Sequence, residues 1–191
     1  MTLNRITPYI TLFFSFLILS CSSDSDSSGT NTTDPTLANK QALGASARDF
    51  LSAEEFTSMN VEIAYVDGFR PSDATLSNLR AFFSARLNKP DGITFTETVV
   101  AASKVGSLNR DEYTKIEEDN RTVFNVGDEL GVWVFFTNEN SESDEGNSRI
   151  LGTAYRNTSC IIFGETLRDF SSGFTGPSLT QLETVTTEHE F

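Results

Sequence analysis

Residues 130–136 read Leu-Gly-Val-Trp-Val-Phe-Phe, and the indole nitrogen of Trp133 is the one polar side-chain atom among them. A strand that faces water on one side alternates apolar and polar residues, whereas a strand covered on both faces is apolar throughout. The run therefore predicts a central strand with other elements packed on both of its faces. Residues 159–163 (Ser-Cys-Ile-Ile-Phe) form a second apolar run, and we expect another strand there.

Further strands and helices are predicted on either side of this centre. Apolar residues at every second position, as in Val61 and Ile63, indicate a strand. Apolar residues at helical spacing, as in Leu76, Leu79 and Phe83, indicate a helix. In order, we predict a short helix within 43–58, a strand at 60–66, a helix at 72–87, a strand at 93–101, a helix at 109–122, the central strand, a polar loop at 138–148, strands at 151–155 and 159–163, a glycine-spaced loop at 164–176 and a final helix from 178. This order is typical of an α/β fold, a twisted and mostly parallel sheet with helices packed on it.

The charge of the chain excludes some classes of function. The chain has 191 residues, with 14 Lys and Arg against 27 Asp and Glu, and a formal net charge of -13. Its length indicates one folded domain, since domains run to about 100 to 200 residues. We expect no nucleic-acid binding, because contacts to phosphates require an excess of Lys and Arg. Attachment to an anionic lipid surface by charge alone is disfavoured for the same reason.

The first residues are typical of an exported protein. Arg5 precedes an apolar run at 10–19, which is shorter than the roughly 20 residues of a membrane span and has the length of a signal peptide. The run ends in Ile-Leu-Ser-Cys at 18–21, which resembles the lipobox of bacterial lipoproteins, where the cysteine receives diacylglycerol. Cys21 is therefore the expected lipidation site and membrane anchor. The alternative is an ordinary signal peptide with an incidental cysteine.

The segment after Cys21 predicts a tether and a location. Residues 22–26 read Ser-Ser-Asp-Ser-Asp and resemble the export tag of surface lipoproteins in Bacteroidota-type bacteria. We therefore expect an outer-membrane or cell-surface protein. The following residues are almost all polar and lack the apolar surface that would compensate for ordering. The predicted divisions are a signal peptide at 1–20, a disordered tether at 21–41 and a folded domain at 42–191.

The final helix carries the candidate chemistry. Ser178 and Gln181 have the spacing of a capping box. The helical pattern predicts one inward stripe, with Glu183 and Glu188 exposed; the stripe consists of Leu179, Leu182, Val185, Thr186 and His189. Residues 189–190 read His-Glu, the first two positions of H-E-x-x-H. In that motif two histidines one turn apart bind zinc and the glutamate acts as general base. The second histidine would follow Phe191 by two residues, and a solvated charged helix end is the alternative.

The order of elements resembles the N-terminal subdomain of zincin metalloproteases. More closely, the chain resembles lipoprotein "membrane metalloproteases" of flavobacterial-type organisms. The residues that carry this resemblance are Leu-Gly-Thr-Ala-Tyr-Arg-Asn-Thr-Ser at 151–159, Ile-Ile-Phe at 161–163 and the tail from Leu182 to Phe191. The resemblance implies a zincin-like subdomain at 42–191, one antiparallel edge strand and an active-site helix at the C-terminus. In that family the tail continues as H-E-F-G-H, so the chain is expected to be incomplete.

The resemblance also implies roles for particular residues. His189 would be the first zinc ligand and Glu190 the general base. The strand containing Gly152, Thr153, Ala154 and Tyr155 would align a peptide by strand addition, although plain packing at the sheet edge is an equal alternative. The implied function is a monomeric, zinc-dependent endopeptidase of the cell envelope that acts on a peptide or protein substrate. With one histidine in the chain, we expect it to be inactive alone, because catalytic zinc needs three protein ligands.

Other interpretations of the sequence stay open. The chain could be a non-enzymatic surface lipoprotein that binds a protein or glycan, or a folded but catalytically inactive relative. Carboxylates at 139–145 could bind calcium, although their irregular spacing favours a solvated loop. Cys160 lies in an apolar strand, and we expect a small core residue there and not a nucleophile.

Overall fold

The computed structural model describes residue 34, residues 36–173 and residues 175–191. The signal peptide, Cys21 and most of the predicted tether lie outside these residues. The elements are, in order, a 3-10 turn at Leu37–Asn39, α1 at Ala47–Leu51, β1 at Ser58–Val66, α2 at Asp73–Arg86, β2 at Gly92–Val100, β3 at Ser107–Leu108, α3 at Arg110–Asn120, β4 at Glu129–Thr137, β5 at Asn140–Ser141, β6 at Gly152–Arg156, β7 at Ser159–Phe163, α4 at Gly164–Ser171 and α5 at Leu179–Glu190. None of the helices in the described part of the chain is long and apolar enough to cross a membrane.

The main sheet has five strands in the order β2-β1-β4-β7-β6. Neighbouring strands run parallel, except that β6 is antiparallel to β7 at one edge. The predicted central strand is the middle strand β4, and its residues from Leu130 onward are buried. The α/β class, the mostly parallel sheet and the antiparallel edge strand are therefore confirmed.

Helices cover both faces of the sheet, as the apolar central strand requires. Successive side chains of a strand point to opposite faces, so Val132 and Val134 lie in one core and Trp133 and Phe135 in the other. Residues of α2, α4 and α5 pack in the first core, and residues of α3 pack in the second. The sheet therefore separates two cores, and α5 lies on the same face as α2.

The predicted loop at 164–176 is wrong in its first half, where α4 begins directly after β7. Leu167 of α4 is fully buried against the sheet. Gly164 allows this close approach, because a Cβ there would lie 2.8 Å from the carbonyl oxygen of Thr137. Glycine and serine at 164–176 suggested a loop, but here the glycine serves helix packing.

The predicted tether is also too long, because residues 37–41 belong to the folded domain. Asn39 is fully buried, and its amide nitrogen donates hydrogen bonds to Asn125 Oδ1, the Gly131 carbonyl and Thr158 Oγ1. The side chain of Asn157 donates to the carbonyl of Ala38. A polar segment can be ordered without apolar burial when its buried polar groups are paired in this way.

The predicted inward stripe of α5 is confirmed at Leu179, Leu182 and Thr186, which pack inward, and is wrong at Val185 and His189. Val185 is 65% exposed and His189 is exposed, whereas Glu183 is only 6% exposed. The helix packs against α2, α4, β6 and β7 together, so its neighbours and not its own apolar spacing decide which side is buried. The buried positions are Glu183, Thr184, Thr186 and Thr187.

Candidate functional site

The edge strand β6 has backbone groups that point away from the sheet. The Phe163 amide donates to the Leu151 carbonyl at 2.9 Å. Backbone groups alternate in direction along an antiparallel pair, so the backbone N–H and C=O groups of Leu151 and Thr153 point toward β7. Gly152 and Ala154 therefore direct their backbone N–H and C=O groups toward the open edge.

The last turn of α5 lies directly beside this edge. Glu190 Oε2 accepts a hydrogen bond from the Ala154 amide nitrogen at 2.7 Å. Gly152 makes this approach feasible, because a Cβ there would lie 2.9 Å from Thr186 Cγ2 and 3.0 Å from Glu190 Oε1. The glycine of β6 and the final turn of α5 thus fit each other closely.

An open groove of about 340 Å³ lies between this turn and the segment leading into β6. We call it the edge groove, and it is lined by Arg149, Ile150, Leu151, Gly152, Val185, Thr186, His189 and Glu190. Three residues predicted from the sequence, His189, Glu190 and Gly152, therefore line one groove. Ala154 joins them through its hydrogen bond to Glu190.

The other two predicted edge residues have different surroundings. The Tyr155 side chain is buried in the opposite core, with its ring 4.7 Å from the ring of Tyr113. The Tyr155 carbonyl accepts a hydrogen bond from Arg110 at 2.6 Å, and Thr153 Oγ1 donates to the Gly152 carbonyl. Tyr155 therefore packs in the domain and does not line the groove, as the packing alternative expected for that residue.

The described residues do not by themselves fit a catalytic zinc site. Such a site takes three protein ligands and keeps one open position. No group of three His, Cys, Asp or Glu side chains close enough to hold a metal ion occurs in the described ranges. His189 supplies one imidazole, so a metal held there would need two further protein ligands.

The acidic loop at 139–145 also lacks a group of metal ligands. Two of its carboxylates accept hydrogen bonds from separate partners. Asp144 Oδ1 accepts a hydrogen bond from the Ile150 amide, and Glu139 is buried and accepts one from Asn138. Cys160 is a buried free cysteine, and burial raises the pKa of its thiol well above the ordinary value. Its surroundings match those expected of a core residue.

A second polar site, which the sequence did not indicate, lies on the other face of β6. We call it the closed cluster, and it consists of Glu117, Arg121, Arg156 and Ser159. The side chain of Arg121 is 1% exposed. It donates hydrogen bonds to Glu117 Oε1 at 2.7 Å and to the Gly131 carbonyl at 2.9 Å. Further bonds run from Arg121 to the Val123 carbonyl, Thr158 Oγ1 and Ser159 Oγ, and from Arg156 to Glu117 Oε2. Burial lowers the pKa of the Arg121 guanidinium, and the Glu117 carboxylate opposes that shift.

Glu183 is also at a site that sequence reasoning missed. Its Oε2 accepts a hydrogen bond from Thr75 Oγ1 at 2.6 Å and faces the Ser72 amide at 3.4 Å, at the N-terminus of α2. A helix N-terminus attracts a carboxylate. Burial raises the pKa of Glu183, and the hydrogen bonds from Thr75 and Ser72 oppose the shift. The residue predicted to be a surface charge therefore joins α5 to α2.

Comparison of the chain with protein-family models, with curated proteins and with solved structures found no match. The resemblance to metalloproteases therefore stays a hypothesis from the sequence.

Proposed function

We propose that the domain is the peptide-binding part of a zinc-dependent endopeptidase of the cell envelope. The observation that carries the proposal is the position of Glu190, whose carboxylate lies 2.7 Å from the outward amide of the edge strand. His189 lines the same groove. A residue pair suited to hydrolysis thus lies beside a strand edge suited to holding a peptide.

The peptide would bind in an extended form along β6. The outward N–H and C=O groups of Gly152 and Ala154 offer main-chain hydrogen bonds, which supply affinity in strand addition. Alternate side chains of the peptide would enter the edge groove, where Ile150, Leu151 and Val185 provide apolar walls. We therefore expect a preference for apolar side chains at one position of the substrate.

Glu190 is the proposed general base. A carboxylate beside the bound peptide can take a proton from water and return it to the leaving amine. Zinc is the cofactor that the His-Glu pair implies, and two protein ligands besides His189 would be needed to hold it. The purified chain should therefore bind zinc weakly in a calorimetric titration, and stoichiometric sub-micromolar binding would contradict this ligand count.

The gene sequence after the codon for Phe191 provides the first test of the enzyme. We expect a second histidine four residues after His189, followed by a further ligand. The complete product should then cleave peptides, and Glu190→Ala should lower its kcat by a factor of about 10² to 10⁴, the range for loss of a general base. Glu188→Ala, in the same turn, is the matched control. A stop codon directly after Phe191 would end the enzyme proposal.

A non-enzymatic surface lipoprotein is the second candidate. The outward backbone groups of Gly152 and Ala154 favour it, because strand addition needs no metal. Both candidates share the predicted anchor at Cys21 and the outer-membrane or cell-surface location. Mass spectrometry of the membrane-extracted protein should show a diacylglyceryl group on Cys21, and Cys21→Ala should release the protein from the membrane fraction. Peptide binding without cleavage by the complete gene product would favour the second candidate.

A further inference from the structure

The open edge of the sheet is not free in this structure, because charged side chains occupy two of its backbone groups. Glu190 of α5 accepts a hydrogen bond from the Ala154 amide at 2.7 Å. Arg110, the first residue of α3, donates to the Tyr155 carbonyl at 2.6 Å, where the register of β6 shifts. Edge strands present unpaired backbone groups that attract other chains, and charged residues at an edge protect them.

Glu190 occupies the position that an added strand would need. A strand that pairs with β6 would place one of its carbonyl oxygens at the outward amide of Ala154. Glu190 Oε2 lies there at normal hydrogen-bond distance. One amide hydrogen forms one well-aligned hydrogen bond, so the carboxylate and the added strand compete for it.

We propose that Glu190 is a displaceable cap on the sheet edge, so that an extended peptide must replace its carboxylate at the Ala154 amide before pairing with β6. The proposal rests on the proposed function in one respect, that a peptide is the ligand of this edge. Displacement moves the Glu190 carboxylate into the edge groove, next to the bound peptide. Peptide binding and release of the carboxylate for chemistry then become one event, and the unoccupied edge stays protected from other strands.

The absence of a side chain at Gly152 gives the Glu190 carboxylate room to reach the Ala154 amide. Glu190 Oε1 lies 3.0 Å from the position that a Gly152 Cβ would take. A Cβ at 152 would require the carboxylate to shift by a few tenths of an ångström, which would weaken its hydrogen bond to Ala154 even without a peptide. Glycine therefore permits the capped state as well as the close packing of α5.

The test measures how tightly a defined peptide binds to the open edge of β6. The probe is a synthetic peptide with the sequence of residues 150–156, Ile-Leu-Gly-Thr-Ala-Tyr-Arg, which copies the edge strand. We expect Glu190→Ala to bind the probe about tenfold more tightly than the wild type, the scale of one charge-assisted hydrogen bond. The amide exchange of Ala154 should rise by a similar factor in the variant without the probe and fall when the probe binds.

Two further variants separate the cap from a general effect on α5. Glu190→Gln keeps an acceptor oxygen and should lie between the wild type and Glu190→Ala in probe affinity. Glu188→Ala removes a carboxylate from the same helical turn. It should leave the probe affinity and the amide exchange of Ala154 unchanged. Should Glu190→Ala unfold the end of α5, the glutamine variant still gives the predicted order of affinities.

The outcomes distinguish this proposal from the proposed function. If the probe binds the wild type and Glu190→Ala equally, the cap is overturned while peptide binding at the edge stands. If the probe binds neither protein, strand addition at β6 and the cap are both overturned. If the alanine variant binds more tightly but the complete gene product cleaves no peptide, the cap stands and the enzyme proposal falls.

Discussion

The closed cluster and the edge groove lie on opposite faces of the same strand, β6, yet their polar groups differ in how fully they are used. In the closed cluster, Arg121 has hydrogen-bond acceptors for all five of its N–H groups and is 1% exposed. At the edge groove, the Ala154 amide is the one hydrogen-bond donor to Glu190 among the described residues, and open space lies beside the carboxylate. Polar groups with all partners inside the protein hold the fold together. Polar groups that lie beside open space and can form further hydrogen bonds can bind a ligand.

The difference arises from how the helices cover the sheet. On the face of the closed cluster, Tyr113 of α3 packs against Tyr155, and Glu117 of the same helix is 2% exposed. On the other face, α5 reaches the edge strand with its last turns, through Thr186 and Glu190. The edge groove lies beside these turns, between α5 and the segment leading into β6.

The largest expected effect comes from breaking the closed cluster. Arg121→Ala would remove the shorter of the two ion pairs of the buried Glu117 carboxylate, which would keep Arg156. It would also remove one of the two side-chain donors to the Gly131 carbonyl. Removing one member of a buried ion pair costs about 3 to 5 kcal/mol. We expect a loss of that size in the free energy of unfolding, measured by urea denaturation.

Arg48→Ala is the matched control for that experiment. Arg48 pairs with Glu54 at the surface, where both side chains are largely exposed, and exposed pairs contribute about 0 to 1 kcal/mol. An equal loss in the two variants would mean that the closed cluster does not depend on burial.

Two glycines, one beside each region, give the next effect. A Cβ on Gly131, whose carbonyl belongs to the closed side, would lie 2.5 Å from the backbone carbon of Phe124. A Cβ on Gly152 would meet side chains of Thr186 and Glu190, which can move. Overpacking costs about 1 to 3 kcal/mol, so we expect Gly131→Ala to lose about 3 kcal/mol and Gly152→Ala about 1 kcal/mol.

Calorimetric melting of these variants measures the difference. Gly173→Ala is the control, because the nearest atom to its added Cβ is 3.9 Å away. Gly152→Ala should also raise the amide exchange of Ala154, since the added methyl group would weaken the hydrogen bond from Ala154 to Glu190. A larger loss for Gly152→Ala than for Gly131→Ala would contradict the contrast between a closed and an adaptable region.

Glu183 and Glu190 both lie on α5, but Glu183 is enclosed whereas Glu190 lies beside open space. Glu183 therefore tests the contrast between enclosed and open polar groups within one helix. Burial raises the pKa of Glu183 in the folded protein. A raised carboxyl pKa means that its contribution to stability is fully present below the ordinary value and is lost as pH rises through the folded value. Glu183→Gln should remove this loss and match or exceed the wild type at pH 7 by up to about 1 kcal/mol, since glutamine keeps an acceptor for Thr75.

Urea titrations of both proteins across pH 4 to 8 give the measurement for Glu183. The wild type should lose stability relative to Glu183→Gln as pH rises. Glu188→Gln, on the same helix, should show no such trend. A wild type that gains stability relative to the variant over this range would overturn the assignment.

The smallest effect is expected at the surface pair of Arg70 and Glu97. Hydrogen bonds from Arg70 to both oxygens of Glu97 lower the pKa of that carboxyl. The resulting stabilisation is present above the ordinary carboxyl pKa and is lost as pH falls through the lowered value. Arg70→Met should therefore cost less than about 1 kcal/mol at pH 7 and nothing at pH 2, measured by thermal melting. A cost that persists unchanged at pH 2 would contradict the ion-pair origin.

Local pattern predicted the main elements but not all of the fold. The central strand, the positions along the chain of the other four strands of the main sheet and the capping box of the last helix follow from alternation and spacing, and the structure confirms each. The helix at Gly164–Ser171 was predicted as a loop, because glycine and serine are common in loops and close helix packing also requires a small residue. Burial of Asn39 depends on hydrogen bonds to residues far along the chain, which no local pattern contains.

The sequence by itself determined that this chain forms a mostly parallel sheet with helices on both faces and that its His-Glu pair lies on the last helix. Only the tertiary structure decided which charges are enclosed and which remain available. Glu62 lies between the apolar residues Val61 and Ile63 in the sequence. It is nevertheless fully buried, and it accepts hydrogen bonds from Thr98, Thr122 and Val123. Glu183 is enclosed at the N-terminus of α2, and Glu190 lies at an open edge. The physical reason is that apolar spacing sets local structure, whereas the surroundings of a carboxylate depend on donors that distant segments bring to it.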